Sequence, residues 1–591
     1  MHLLATTSGI VDGGAEAIDL NQSPGDIVVL SAADSELAAL ARAHSVDGGG
    51  PSLRLANLLQ LQHPLSVDLH VEKTLRHAQL VVIRLLGGAS YWSYGLDQVE
   101  EAARERGILL AALPGDANAD PELVRRSTLE PRHCERLRQY LVAGGAANAT
   151  GFLAYCRHLL DRTPEPPPAA ALARAGIYRD AVRDDRPLAL IVFYRSVLEG
   201  SQTEPIDAMI TALEARGLAA LAVHVASLKD AESCAALATA LEGRAPDVIL
   251  NATSFAVATG GGGDPLAGHD CPVLQVVLAG SSEAAWQASA QGIGPRDLAM
   301  NVVLPELDGR IMSRAISFKA DASRDEATQC SIVTYRAVPD RVAFVADLAA
   351  NWARLRRLSA TARKVAIVLA NYPTRDGHIA NGVGYDTPAS TIAILAAMTQ
   401  AGYLVDNVPA DGNALIESLQ SARPSRGGCA ALALADYHRH FDALPEAARQ
   451  AVSTRWGRPE DDPFCAGGAF RLPVRLHGHV AVAIQPSRGY DIDPNATYHD
   501  PALVPPHGYL AFHFWLRHQF GAHAVIHNGK HGNLEWLPGK AHALTDACFP
   551  EIALGPLPQI YPFIVNDPGE GSQAKRRTSA VIVDHLTPPL T

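Results

Sequence analysis

The residues of this chain best suited to chemistry lie in one run, Ile526-His527-Asn528-Gly529-Lys530-His531-Gly532-Asn533-Leu534-Glu535-Trp536-Leu537-Pro538-Gly539-Lys540. Two histidines, a carboxylate, two lysines, a tryptophan and three glycines share it. Imidazole and carboxylate take up protons near neutral pH, and they offer a divalent metal nitrogen and oxygen without a thiolate's grip. If the turn after Gly529 is helical, His531 and Glu535 lie four residues apart on one face, as a metal-binding or proton-transferring pair would. Polar groups crowded onto such a turn are expensive to bury without a task. A capped structural turn, with Glu535 paired to Lys530 or Lys540, is the alternative these residues leave open.

Something must hold that run in place. Ala524, Val525 and Ile526 read as the end of a buried strand, Asn528-Gly529 as a turn, and Pro538-Gly539 as a stop. In a strand over 522–527 the side chains of His523 and His527 point the same way, so His527 approaches the turn that carries His531. A helix is expected just before, over 509–520. His507, His513 and His518 share no clean face there and read as ordinary amphipathic residues.

The rest of the chain predicts an α/β protein of several doubly wound parallel-sheet domains joined by helical connections. Residues 1–140 form an N-terminal domain. Residues 141–330 form a second, entered through the proline-rich linker at 164–168, and 331–591 a third that carries the His/Glu run and looks incomplete at its C-terminus. Strands are expected at 27–30, 80–86 and 108–113, with helices at 36–43 and 96–106. In the second domain strands are expected at 188–194, 218–225, 247–251, 273–278 and 300–304, and a capping box at Ser201–Glu204 opens a helix over 206–216. The third domain has strands at 364–369 and 480–485 and a helix at 389–401. Asn371, Arg375 and Gly377 at a strand end, followed by a helix N-terminus, suit an anion, with an Asx-capped turn as the plain alternative. The glycines at 260–263 lack the lysine and hydroxyl of a phosphate loop and read as a flexible connection.

Composition narrows the function classes. The 591 residues are 48% hydrophobic and 19% charged, ordinary for a soluble globular protein, and the net charge of −12 argues against non-specific nucleic-acid binding. No apolar run is long enough to span a membrane, and the start of the chain lacks the basic and apolar regions of a secretory signal. The eight cysteines stand singly, with no Cys-x-x-Cys, which excludes a zinc knuckle and points to reduced thiols in a cytoplasmic protein.

The run from Asn528 to Lys540 resembles the signature of the CobN family, the large subunits of aerobic cobaltochelatase, with the H-type subunits of magnesium chelatase as more distant relatives. The likeness extends to 371–388, 485–508 and 561–590, which includes Ile564-Val565-Asn566-Asp567-Pro568-Gly569-Glu570-Gly571 and Gln573-Ala574-Lys575-Arg576-Arg577. Weaker echoes lie at 82–94, 193–207 and 251–256. Family members are considerably longer, so the chain looks like an N-terminal portion of one.

The resemblance implies ATP-dependent insertion of Co2+ into hydrogenobyrinic acid a,c-diamide. Such a reaction needs a base for ring N–H protons, ligands that present a desolvated metal and then release it, and contacts to the ring's rim. In that light Glu535 is the expected base or transient metal ligand, His531 its partner, and His527 a weaker candidate ligand. Arg375, Arg488, Lys530 and Lys540 are candidates for the ring's carboxylate arms, Asn371 and Asn528 for its amides, and Tyr490 and Trp536 for its face. No Walker motif is present, so ATP and Mg2+ are expected on AAA+ partner subunits, CobS and CobT. The stretch 566–577 would serve as an anion cradle or as a docking loop for those partners. Two other readings stay open: a magnesium–protoporphyrin chelatase subunit, or a truncated, non-catalytic tetrapyrrole-binding or assembly protein.

Overall fold

The computed structural model describes residues 17–47, 50–115, 120–161, 163–258, 263–319, 323–371, 381–382, 385–421, 430–489, 500–565 and 568–586. It is a mixed α/β protein built on three parallel sheets. In the first, β1 (Ile27–Ser31), β2 (Leu53–Asn57), β3 (Leu80–Leu85) and β4 (Leu109–Pro114) lie side by side in the order β2-β1-β3-β4. Helices α1 (Asp34–Asp47) and α2 (Ser93–Arg106) connect strands within it. Each strand is an almost unbroken apolar run because helices cover both faces, leaving no polar side to alternate with. β2 carries Arg54 and Asn57 in its five residues, which explains why apolar patterning does not announce it.

The second sheet holds β5 (Ala175–Arg179), β6 (Leu188–Tyr194), β7 (Ala219–Val225), β8 (Val248–Asn251), β9 (Val273–Ser282), β10 (Ile311–Lys319) and β11 (Tyr335–Ala337), in the order β11-β10-β9-β8-β6-β7-β5. Its inner strands are parallel, and the two edges, β5 and β11, run antiparallel. Helix α3 (Glu283–Ala288) follows β9, and the long helix α4 (Pro339–Arg357) leads onward. The strand expected at 300–304 is instead a π-helical turn, Ala299–Val303, running into Leu304–Glu306. Five mostly apolar residues fit either form, and here the half-exposed Val303 and the buried Asn301 and Val302 line a helix rather than a sheet. The helix expected to open on a capping box starts at Glu204 with no side-chain cap from Thr203.

The third sheet comprises β12 (Val365–Leu369), β13 (Val474–His477), β14 (Val480–Ile484), β15 (Ala524–Asn528), β16 (Gln559–Val565) and β17 (Ala580–Leu586), ordered β13-β14-β12-β15-β16-β17. All but β13 are parallel. Helices α5 (Thr387–Gln400), α6 (His507–Phe514), α7 (Phe549–Leu554) and α8 (Pro568–Thr578) connect or cover these strands. Ile367 at the centre of β12 is 0% exposed, and its truncation to alanine would cost roughly 2–5 kcal/mol.

The parallel strands of the third sheet follow the spatial order second, first, third, fourth, fifth, so the winding reverses between β12 and β15. Ligands of doubly wound sheets bind at the carboxyl ends of the strands flanking such a reversal. The second and third sheets are also tied together by elements packed against them. Glu551 of α7 accepts from Arg314 of β10 and from both Nη atoms of Arg341 of α4 at 2.7–2.8 Å, all three side chains being buried. Removing one member of so buried a triad strands a charge and is the costly change. Among the described residues no helix is long and apolar enough to cross a membrane.

Candidate functional site

The carboxyl ends of β12 and β15 are adjacent, with Leu369 in register with Asn528. Asn371 emerges from β12, buried, with an Oδ1 that has no partner among the described residues. Gly529 then turns the chain away at φ +94°, and a Cβ there would sit 2.5 Å from Thr387 Oγ1. Glycine is required twice over, by its backbone angle and by that close approach.

The turn beyond is not the α-helical one that would set His531 and Glu535 on a shared face. Only Leu534–Trp536 is helical, as one 3₁₀ turn. The pair is brought together instead by side chains from farther along. His531 Nδ1 lies 2.6 Å from Glu570 Oε2 of α8. The Gly532 N–H donates to Tyr561 Oη at 2.7 Å and to Glu570 Oε1 at 3.0 Å. Tyr561 of β16 donates its hydroxyl to Glu570 Oε1 at 2.8 Å and lies 3.4 Å from Glu535 Oε1. One phenol therefore bridges two carboxyl groups. Asn533 fixes the other side: its N–H meets Gln485 Oε1, its Nδ2 donates to the Pro486 carbonyl, and its Oδ1 accepts from Tyr509.

Glu535 is 1% exposed and Glu570 2%. Burial, and then the charge of Glu570, push the Glu535 carboxyl up to about 8. Burial pushes Glu570 the same way, but the hydrogen bond and charge of His531 and the donors Tyr561 and Gly532 outweigh it and leave Glu570 below its ordinary value. Two carboxyl groups side by side are thus driven apart in acidity, the arrangement in which one holds a proton near neutrality and the other does not. Tyr561, buried against both, is held well above its usual value and stays a phenol. His527 stacks edge-on against Tyr561, ring centroids 4.6 Å apart. Burial lowers it to about 4, so it is a neutral imidazole, and its Nε2 has no partner among the described residues. Of the neighbouring residues in the turn, Trp536 is 41% exposed and Lys530 half-buried.

Several residues expected to face a ligand are spent on the fold. Asn528 is 0% exposed: its Nδ2 donates to Thr391 Oγ1 and its Oδ1 accepts from Tyr385, pinning the strand end to α5. Lys540 is buried, its ammonium donating to the carbonyls of Trp286, Gln287 and Ser289 at the C-terminus of α3. A cation is favoured there by the free carbonyls and the helix dipole. Arg488 is 3% exposed and donates to the Asp500 carbonyl. Arg375 and Tyr490 lie outside the described residues. His527, His531 and Glu535 do not form a ready-made metal cage, because Glu570 occupies His531 Nδ1 and Tyr561 lies against His527. Among the described residues no group of three or more His, Cys, Asp or Glu is set to hold a metal ion. His523 starts outside β15 and caps Lys364 N at the opposite end of the sheet.

Glu570, Tyr561 and Arg577 are the site residues that sequence reasoning missed. The available signal was the seven-residue spacing of Glu570 and Arg577, which puts both on one face of a helix.

Residues 138–591 match the family CobN/Magnesium Chelatase. The chain is 51% identical to the aerobic cobaltochelatase subunit CobN of Sinorhizobium sp over its whole length, covering 48% of that protein, and 47% identical to that of Pseudomonas aeruginosa, covering 49%. It is 29% identical to the H-type subunit of magnesium chelatase from Rhodobacter capsulatus, over 68% of this chain and 35% of that one. The catalytic subunit of cobaltochelatase from Mycobacterium tuberculosis superposes with a TM-score of 0.82 at 35% identity, over 96% of this chain and 48% of its own. The chain spans about half the length of the curated relatives it matches.

Proposed function

The chain belongs to the CobN/magnesium chelatase family, and from that premise we propose that it is the tetrapyrrole-binding, metal-inserting part of an ATP-dependent cobaltochelatase. Its substrates in this reading are Co2+ and hydrogenobyrinic acid a,c-diamide, in aerobic cobalamin biosynthesis in the cytoplasm. ATP and Mg2+ are used by AAA+ partners of the CobS and CobT kind. The observation that carries the reading is the buried Glu535–Tyr561–Glu570 bridge, whose members are driven apart in acidity.

Metal insertion exchanges a ring N–H bond for a metal–nitrogen bond, and the proton needs an acceptor. Glu535, pushed up to about 8, accepts it as the carboxylate and holds it as the acid. Glu570 stays ionised and keeps His531 oriented through Nδ1, and that imidazole is the nitrogen donor offered to Co2+. Carboxylate and imidazole without thiolate bind Co2+ loosely enough to release it to the ring nitrogens. Trp536 packs on the ring face and Lys530 pairs with a carboxylate arm.

The test titrates the purified chain with hydrogenobyrinic acid a,c-diamide and with protoporphyrin, following the absorption bands. Co2+, ATP and the partner ATPases are then added. Corrinoid binding followed by insertion is the expected result. A preference for protoporphyrin overturns the cobalt assignment, and corrinoid binding with no insertion in the assembled complex leaves a binding protein only.

A further inference from the structure

We propose that Arg577 is the positioning residue of the Glu535–Glu570 pair, clamping the turn that carries one carboxyl group to the helix that carries the other. Glu570, Ala574 and Arg577 occupy one face of α8, and all three are buried. At one end of that face Glu570 takes His531 and Gly532, the start of the turn. At the other end the Arg577 guanidinium donates through Nη1 to the Glu535 carbonyl, through Nη2 to Leu537 at 2.8 Å and through Nε to Lys540 at 3.0 Å. A single planar fork thus collects three carbonyls from six consecutive residues.

Those carbonyls would otherwise be buried acceptors on an irregular segment, since one 3₁₀ turn satisfies few of its own groups. Arginine suits the task because its donors are held in a fixed plane, whereas an ammonium is a single point and cannot span the three. The guanidinium hydrogen-bonds to the main chain of Glu535, and its charge draws that carboxyl down against the larger push of burial and Glu570. It therefore sets where the carboxyl stands while leaving Tyr561 and Glu570 as that group's polar neighbours. The adjacent Arg576 points elsewhere, making a two-pronged ion pair with Glu306 of the second domain at 2.9 Å. The inference rests on the proton-handling role given to Glu535 above.

The test compares wild type with Arg577→Lys and Arg577→Ala by three measurements. These are corrinoid affinity from absorption titration, the Co2+ insertion kinetics of the assembled complex, and iodide quenching of Trp536 isolated by difference against Trp536→Phe. Arg577→Ala should lower kcat about 100-fold with the ring KM within about twofold, since a displacement on the order of 1 Å is enough for that loss. Trp536, lying between two clamped carbonyls, should become more readily quenched, and millimolar guanidinium should restore part of both signals. Arg577→Lys should behave as the alanine variant without rescue, and it carries the same split if Arg577→Ala fails to fold. Unchanged kcat, or KM rising in step with a fall in Tm and no recovery with guanidinium, overturns the clamp. If wild type neither binds corrinoid nor inserts metal, the proposed function fails, and the quenching comparison alone decides Arg577: equal quenching in all three proteins sinks it.

Discussion

His531 and Glu570 stand 39 residues apart in the chain and meet with Nδ1 2.6 Å from Oε2, the carboxylate buried and the imidazole partly open to solvent. The second oxygen of the same carboxylate takes the hydroxyl of Tyr561, which reaches Glu535 on its far side. The imidazole and the carboxyl group to which the proposed function gives the metal and the proton are therefore joined through one side chain, and a change at Glu570 reaches both.

Glu535→Gln keeps the shape of the side chain and removes its basicity. Co2+ insertion by the assembled complex should fall by about 10²–10⁴, the range a general base supplies, with corrinoid affinity nearly unchanged. In wild type the base is active only when ionised. Its insertion rate should therefore climb with pH toward the Glu535 value of about 8 and level off above it. Equal turnover in the glutamine variant would remove Glu535 from the mechanism.

Glu570→Gln removes the charge that helps raise Glu535 and loosens His531. The rising limb of the pH–rate profile should move to lower pH, and the plateau should drop by about 10–100-fold, as when an orienting partner of a metal-facing histidine is lost. A profile that keeps its midpoint would mean that the two carboxyl groups do not sense each other.

At Gly532 an added Cβ would lie 2.6 and 2.7 Å from the two Glu535 oxygens and 2.9 Å from Tyr561 Oη. Gly532→Ala should therefore expel the carboxyl from its place, costing about 1–3 kcal/mol of stability and nearly all insertion. Chemical denaturation and the insertion assay measure the two losses separately.

Lys540→Met should cost about 1–3 kcal/mol, because three carbonyls at the end of α3 lose their donor, and should leave corrinoid affinity as it is. A tenfold loss of affinity at unchanged stability would return Lys540 to the rim of the ring.

Acid should destabilise the protein in a defined window. Burial holds His70, His527 and His513 at about 4, 4 and 3, against 6.5 unfolded. The unfolded chain takes up these protons first, so stability is fully present above pH 6.5 and drains away as pH falls toward 4. Glu535 has the opposite sign: its raised value favours the folded state least at alkaline pH, so stability declines from about pH 4.5 up to about 8. Denaturation midpoints across pH 5–9 should show both slopes, and Glu535→Gln should flatten the decline above pH 6.5 and steepen the rise below it.

The central strands were legible because buried parallel strands read as apolar runs, and Leu188–Tyr194 was found to the residue. Met300–Leu304 was not, since a run that short suits helix and strand equally. At the site, the turn and its Glu535 stood out by composition, and Glu570 did not. Its partners come from β16 and the turn after β15, and no local periodicity records a pairing made across a sheet. Asn528 and Lys540 misled for a related reason. A polar side chain in a conspicuous run looks ligand-facing until the strand end or helix end that consumes it is seen.

The carbonyls that hold Lys540 follow β9 of the second sheet, while Glu535, five residues earlier, lies against Tyr561 of the third. The turn that carries Glu535 is thus strung between two bodies like a tendon. Pulling those bodies apart would tug the Lys540 end first, and Arg577 stands directly in the line of force, holding both that end and the backbone of Glu535. Any movement of one body against the other would therefore reach the backbone of Glu535 before its side chain.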